Sequence, residues 1–200
     1  MHVTSPYAAA VILAIVAALL LVLVVFLARK IRRLEGALRD RPLADPLTGL
    51  HSRSGFYLLG EQVLLDARRA AGPLTVFCFG VDGLQKINDA HGKDVAAEAL
   101  RDIATILRVT FRRSDVLGRL AGGEFAVITR GRQAELTPAL RRLDDTTGLA
   151  NDAGSKPYRI RLSVRAATAE PHDEEPFAEL LARAQAAVPL QPMPPRGAAQ

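Results

Sequence analysis

The chain has 200 residues, 26 basic and 21 acidic side chains, and a single cysteine. Six of the basic and two of the acidic side chains lie in residues 29–41, so the rest is near neutral; this excludes a broadly basic nucleic-acid-binding surface. One cysteine excludes an internal disulfide and fits a reducing compartment, and His2, His51, His91 and His172 lack zinc-ligand spacing.

Residues 1–7 carry no Lys or Arg and form a short extracytoplasmic start. Residues 8–28 contain no charged residue and no Asn, Gln, Gly or Pro. As a helix they span roughly 30 Å, the thickness of the hydrocarbon layer. The run has no basic start and ends in the bulky Val25, Phe26 and Leu27, which favours a retained transmembrane helix over a cleaved signal. Arg29, Lys30, Arg32 and Arg33 follow. The positive-inside rule then puts the N-terminus outside the inner membrane and the remainder in the cytoplasm. The basic patch suits anionic lipid headgroups.

Residues 29–44 form a linker in which Ile31, Leu34 and Leu38 fall at helical spacing. The seam is too short for a coiled coil alone. Pairing two copies into a homodimer and lying solvated as a single helix both remain open. Pro42 and Pro46 break any helix. A turn-rich stretch with Gly49 and Gly55 comes next, then helical spacing to about Ala71. Residues 73–81 read as a buried strand holding Cys78 as a small hydrophobe. Residues 94–111 read as an amphipathic helix with Ala97, Leu100, Ile103, Ala104, Ile106 and Leu107 mostly on one side. "DVLGRL" and "EFAVIT" flank Ala121, Gly122 and Gly123 as a hairpin whose glycines accept positive φ. "AELTPALRRLDDTTG" predicts a helix, "YRIRLSVRAATA" a strand and "EPFAELLARAQAAV" a last helix. From 189 to 200 the chain is Pro- and Gly-rich and reads as a disordered tail. The order predicts an α/β or α+β domain, a central sheet covered by helices.

Three stretches carry a resemblance. "DPLTGLHSRSGF" resembles D-x-L-T-G-L-x-N-R-R, "VDGLQKINDAHGKDVAAEAL" resembles D-x-D-x-F-K-x-I-N-D-x-x-G-H-x-x-G-D-x-x-L, and "FRRSDVLGRLAGGEFAVI" resembles R-x-x-D-x-x-x-R-x-G-G-D-E-F. In that order and at those separations they resemble the GGDEF family, the diguanylate cyclases that join two GTP into cyclic di-GMP. The resemblance covers residues 45–188 and implies a cyclase-like βαβ core with the signature on a hairpin.

The departures set the functional expectation. Counting back from Asn88 puts Asp82 at the second Asp of D-x-D and Gly80 at the first, which carries metal in the family. Arg119, Glu124 and Phe125 fix the signature, so Ala121 replaces its first Gly and Gly123 its catalytic, metal-binding acid. The reaction drives a 3′-hydroxyl onto an α-phosphorus, and magnesium held by carboxylates neutralises the leaving polyphosphate. Glycine supplies no side-chain oxygen. The expectation is therefore no enzyme and no cofactor, with magnesium only if Asp82 and Glu124 sustain a residual cyclase.

At the guanine end the resemblance keeps Asn88 and Gly122 as a nucleotide-binding remnant. Lys86 and Asp89 also match, but Ala97 replaces the guanine-reading Asp and Gln85 a Lys, and the late phosphate-holding Gly and Lys/Arg are missing. Arg112 and Asp115 match the family's R-x-x-D inhibitory site for cyclic di-GMP, with Arg113 and Arg119 adding positive potential. Forked guanidinium donors suit phosphate or a guanine edge, and a carboxylate accepts from guanine N–H groups. Asp115 could instead cap a local turn. The resemblance thus implies a membrane-anchored, inactive receptor for cyclic di-GMP with an unnamed protein partner. The alternatives are a nucleotide-independent scaffold and an active cyclase.

Overall fold

The structure, a computed structural model, describes residues 42–153 and 156–190. The expected transmembrane helix, most of the linker and the tail beyond 190 lie outside the described residues. Among those described, no helix is long and apolar enough to cross a membrane.

Helix α1 (Arg53–Arg69) starts where the Ser52 hydroxyl accepts from the Gly55 N–H at 3.3 Å, an N-cap that satisfies one of the helix's free donors. Strand β1 (Leu74–Val81) follows, then α2 (Leu84–His91) and α3 (Lys93–Thr110). The hairpin β2 (Val116–Ala121) and β3 (Glu124–Arg130) leads through a 3₁₀ turn, Gln133–Leu136, into α4 (Thr137–Asp152). Strand β4 (Leu162–Ala169) and α5 (Phe177–Ala186) complete the domain.

The sheet order is β2-β3-β1-β4, and every neighbouring pair is antiparallel. β1 and β2 therefore run parallel with β3 between them, and β3 and β4 run parallel with β1 between them. The expected βαβ core is thus present in split form, twice.

Alternation along the strands sorts side chains into two layers. Phe77, Phe79, Phe125 and Val127 face α3 and α4 and join Ile103, Leu107 and Phe111 in one apolar cluster. Val76, Cys78, Ala126 and Ile128 face α1 and α5 and join Phe56, Leu64, Phe177 and Leu181 in a second. With helices on both faces β1 is buried almost along its length, which explains its unbroken apolar run. Cys78 is 1 % exposed, and burial first, with the Glu124 charge second, pushes its thiol up to about 12. It packs as a hydrophobe and offers no thiolate at neutral pH.

Four local expectations are corrected. The predicted strand over 158–169 begins only at Leu162. Before it, Ile160 exchanges both backbone hydrogen bonds with the Asn151 side chain, at 2.7 and 2.9 Å, while the Tyr158 hydroxyl donates to Asp102 at 2.7 Å. Helix α2 was not expected; it buries no residue fully and is bounded by Gly83 and Gly92, at φ 75° and 85°. Ala97 is only half-buried, the buried stripe of α3 running instead through Ala96, Ala99 and Leu100. The tail expected from Pro189 is described for two residues, and Leu190 donates its N–H to the Val164 carbonyl at 2.7 Å.

Candidate functional site

The signature hairpin turns tightly through Gly122, at φ 44°, with Ala121 opposite Glu124. Gly123 does not share the left-handed backbone, so the expectation of a φ-driven pair of glycines holds for Gly122 alone. At Gly123 the surroundings are decisive instead. A Cβ there would meet Leu84 Cδ2 at 2.8 Å and Val81 Cβ at 3.2 Å. Apolar side chains thus line the place where the resemblance expects a carboxylate.

Gly80 sits opposite Glu124 on one side and Ser163 on the other. A Cβ at Gly80 would lie 2.7 Å from Ser163 Oγ. The Glu124 side chain points to the opposite face from position 123 and accepts from Gln185 Nε2 of α5 at 2.7 Å. Asp82 lies one residue beyond β1, is exposed, and lines a groove of about 550 Å³ with Leu140, Arg161, Leu162 and Leu190. The two residual carboxylates therefore belong to different faces and do not converge. Asn88 is half-buried on α2, and its carbonyl accepts from the Gly92 N–H at 2.9 Å.

A second region forms around the end of α3. Gly49, Leu50, His51, Arg108, Phe111, Arg112, Arg113, Asp115 and Leu117 line a cleft of about 420 Å³. One side is the "DPLTG" turn. There Asp45 Oδ2 accepts from the Thr48 N–H at 2.9 Å and its hydroxyl at 2.8 Å, while Gly49 takes φ 66°. Arg108 donates to the Thr48 carbonyl at 2.9 Å, tying α3 to that turn. Asp115 Oδ2 accepts from the Arg112 N–H at 2.8 Å, so the carboxylate does cap its own turn. Its other oxygen is not used by that cap. The guanidinium groups of Arg112 and Arg113 are exposed and make no ion pair or hydrogen bond among the described residues.

Arg119, expected to add positive potential near this site, lies outside the lining of the cleft and has its charge met by a carboxylate. It forms an ion pair with Asp45 at 3.2 Å, both side chains about one-sixth exposed, and donates through Nε to the Gly122 carbonyl at 2.9 Å. Its role is to hold the hairpin tip to the first turn. Burial alone would raise the Asp45 pKa, but the Thr48 hydrogen bonds and the Arg119 guanidinium outweigh it and hold the carboxyl below its usual 3.8. A depressed folded pKa stabilises fully above the unfolded value and is lost as pH falls through the folded one. Asp45→Asn is therefore expected to cost about 2 kcal/mol at neutral pH by orphaning Arg119. That gap should narrow below about pH 4 in urea denaturation; a gap constant with pH would deny the ion pair its role.

The sequence reading missed Arg108, His51 and Phe111 in the cleft. The signal for Arg108 was available: it lies in the last turn of α3, four residues before Arg112 in the chain. Leu84, Ser163 and Gln185, which fill or bind the signature positions, gave no local signal.

A split antiparallel sheet clothed by helices, with a Gly-tipped signature hairpin, defines a nucleotide-cyclase-like domain. The chain belongs to the GGDEF family: the family model described as diguanylate cyclase, GGDEF domain, matches residues 43–190. It is 31 % identical over 128 residues to the probable diguanylate cyclase DgcC of Escherichia coli K12, a match spanning 64 % of this chain but 34 % of that protein. The GGDEF domain of PA1120 (TpbB or YfiN) from Pseudomonas aeruginosa superposes with TM-score 0.63 at 27 % identity, covering 71 % of this chain and 84 % of that one. The GGDEF domain of DgcB from Caulobacter crescentus, solved in complex with c-di-GMP, gives TM-score 0.63 at 19 % identity over 74 % and 88 % of the two chains, a likeness of fold.

Magnesium is the ion this family's reaction implies. The residues present do not fit it: positions 80 and 123 offer no side-chain oxygen, and Glu124 is bound by an amide. Among the described residues no three His, Cys, Asp or Glu side chains gather as a metal site.

Proposed function

We propose that this GGDEF protein is membrane-anchored, has lost cyclase chemistry, and serves as a receptor for cyclic di-GMP through Arg112 and Asp115. The observation that carries the reading is the cleft at the end of α3, where two unpaired guanidinium groups stand beside a carboxylate with a spare oxygen. Forked donors match phosphate oxygens, and the carboxylate matches guanine N–H groups. Leu50, Phe111 and Leu117 supply apolar walls. The solved DgcB complex shows that a domain of this fold holds the ligand in that protein.

A scaffold that binds no nucleotide is the second reading, favoured by the Asp115 cap, which gives that carboxylate a purely structural use. Calorimetric titration of residues 42–200 with cyclic di-GMP separates the two. The receptor binds, and Arg112→Ala weakens binding roughly 10- to 100-fold by removing charge-assisted hydrogen bonds. No heat from either protein would leave the scaffold. Membrane attachment has its own check: the full chain should stay with membranes in high salt and alkali and leave only in detergent.

A further inference from the structure

The chain carries little net charge outside residues 29–41, yet one rim of the domain gathers arginines that form no ion pair among the described residues. Arg108, Arg112 and Arg113 gather around the cleft with His51, against one carboxylate, Asp115, already engaged. Val109, in the last turn of α3 beside them, is 69 % exposed. On the other side, Ala44 bridges His51, and the Ser52 N–H donates to the Leu43 carbonyl at 2.9 Å. Leu43 is 54 % exposed. Leu43 therefore lies beside the His51 end of this rim. Arginines interleaved with exposed aliphatic side chains suit the headgroup region of a bilayer, which attracts the charge and accepts the apolar groups.

We infer that this rim docks the domain onto an anionic lipid surface, Arg112 and Arg113 meeting headgroup phosphates and Leu43 and Val109 meeting the layer beneath. Lipid phosphate and cyclic di-GMP then compete for the same guanidinium groups, so ligand binding releases the domain from the membrane. The competition rests on the receptor reading above; the lipid contact stands without it.

Co-sedimentation with vesicles tests this on residues 42–200, which carry both apolar clusters within one compact unit. Vesicles of phosphatidylglycerol with phosphatidylcholine are expected to carry the domain down, and vesicles of phosphatidylcholine alone to leave it in solution. Arg112→Gln and Arg113→Gln should each lower partition about fivefold, and raised salt should lower it further. The Arg112→Lys/Arg113→Lys variant separates the two uses of the site. A lipid surface reads charge, so this variant should still sediment, whereas a ligand read by the guanidinium fork should bind it weakly. Equal sedimentation with both vesicle types, or wild-type partition by the double Gln variant, overturns the lipid contact. Sedimentation that cyclic di-GMP does not reverse, in a protein that gives binding heat, overturns the competition. Sedimentation without any such heat removes the receptor reading and leaves the lipid contact standing.

Discussion

Incubated with GTP and magnesium, the purified protein is expected to release neither cyclic di-GMP nor pyrophosphate above the background of buffer. The size of the effect follows from what is missing. Removing one group that stabilises developing charge costs about 10²–10³ in rate, and two are absent, so the deficit is roughly 10⁴–10⁶. The residual acids do not make it up. Glu124 faces α5 and is bound by Gln185, and Asp82 opens on the groove beside α4. Returning the carboxylates is only part of a repair. An Asp at position 80 must turn the Ser163 hydroxyl aside, and one at 123 must displace a Leu84 methyl and press on Val81. Gly80→Asp/Gly123→Asp is thus expected to gain magnesium binding in a calorimeter while staying slow, because Ala97 leaves the guanine edge unread. Turnover by the unmodified chain would sink the inactive reading at once.

A large effect on stability is expected from Gly60→Ala. Gly60 lies on the face of α1 that meets α5, and a Cβ there would stand 2.3 Å from Phe177 Cε1 and 2.4 Å from Cζ. The ring cannot give way. It is fully buried, and Phe56 and Tyr57 each pack against it at 5.8 Å between centroids. Alanine would otherwise favour the helix by about 1 kcal/mol, so the clash must exceed that gain. A net loss of about 2–3 kcal/mol is expected, roughly 6–10 °C in Tm. Gly60→Ala/Phe177→Leu should recover part of it, since the two positions touch and their effects will not add. An unchanged Tm in the single variant would mean that Gly60 does not set the spacing of these helices.

Much of this architecture was legible because it is written locally. The apolar run of β1, the amphipathic period of α3 and the glycines between β2 and β3 each declare an element within a dozen residues. Helix α2 escaped because it is only eight residues long, its apolar side is little more than the half-buried Leu84 and Ile87, and both its boundaries are glycines rather than side-chain caps. Residues 158–161 alternate like a strand, but Ile160 satisfies its backbone through the Asn151 amide, a partner no period reveals. The site divides the same way. Motif spacing named Gly80, Gly123, Arg112 and Asp115, and the last two line one cleft. It gave no sign that Arg119 pairs with Asp45, 74 positions away, or that Gln185 binds Glu124, 61 positions away. Contacts across such distances depend on sheet order, which local pattern does not encode.

The two borders of the sheet are both stoppered. Along β2, His51 donates to the Leu117 carbonyl at 3.0 Å and accepts from the Arg119 N–H at 2.8 Å. Along β4, Leu190 engages Val164 and the Arg183 guanidinium donates to the Thr168 carbonyl at 2.7 Å, while Asn151 closes the stretch ahead of it. Free strand borders template pairing with other chains, and these offer little to template on. Copies of this domain crowded together at high local density can meet repeatedly without zippering into fibrils or exchanging strands. Whatever assembles with it must grip helices and side chains, contacts that come apart again, which is the behaviour a reversible signalling module requires.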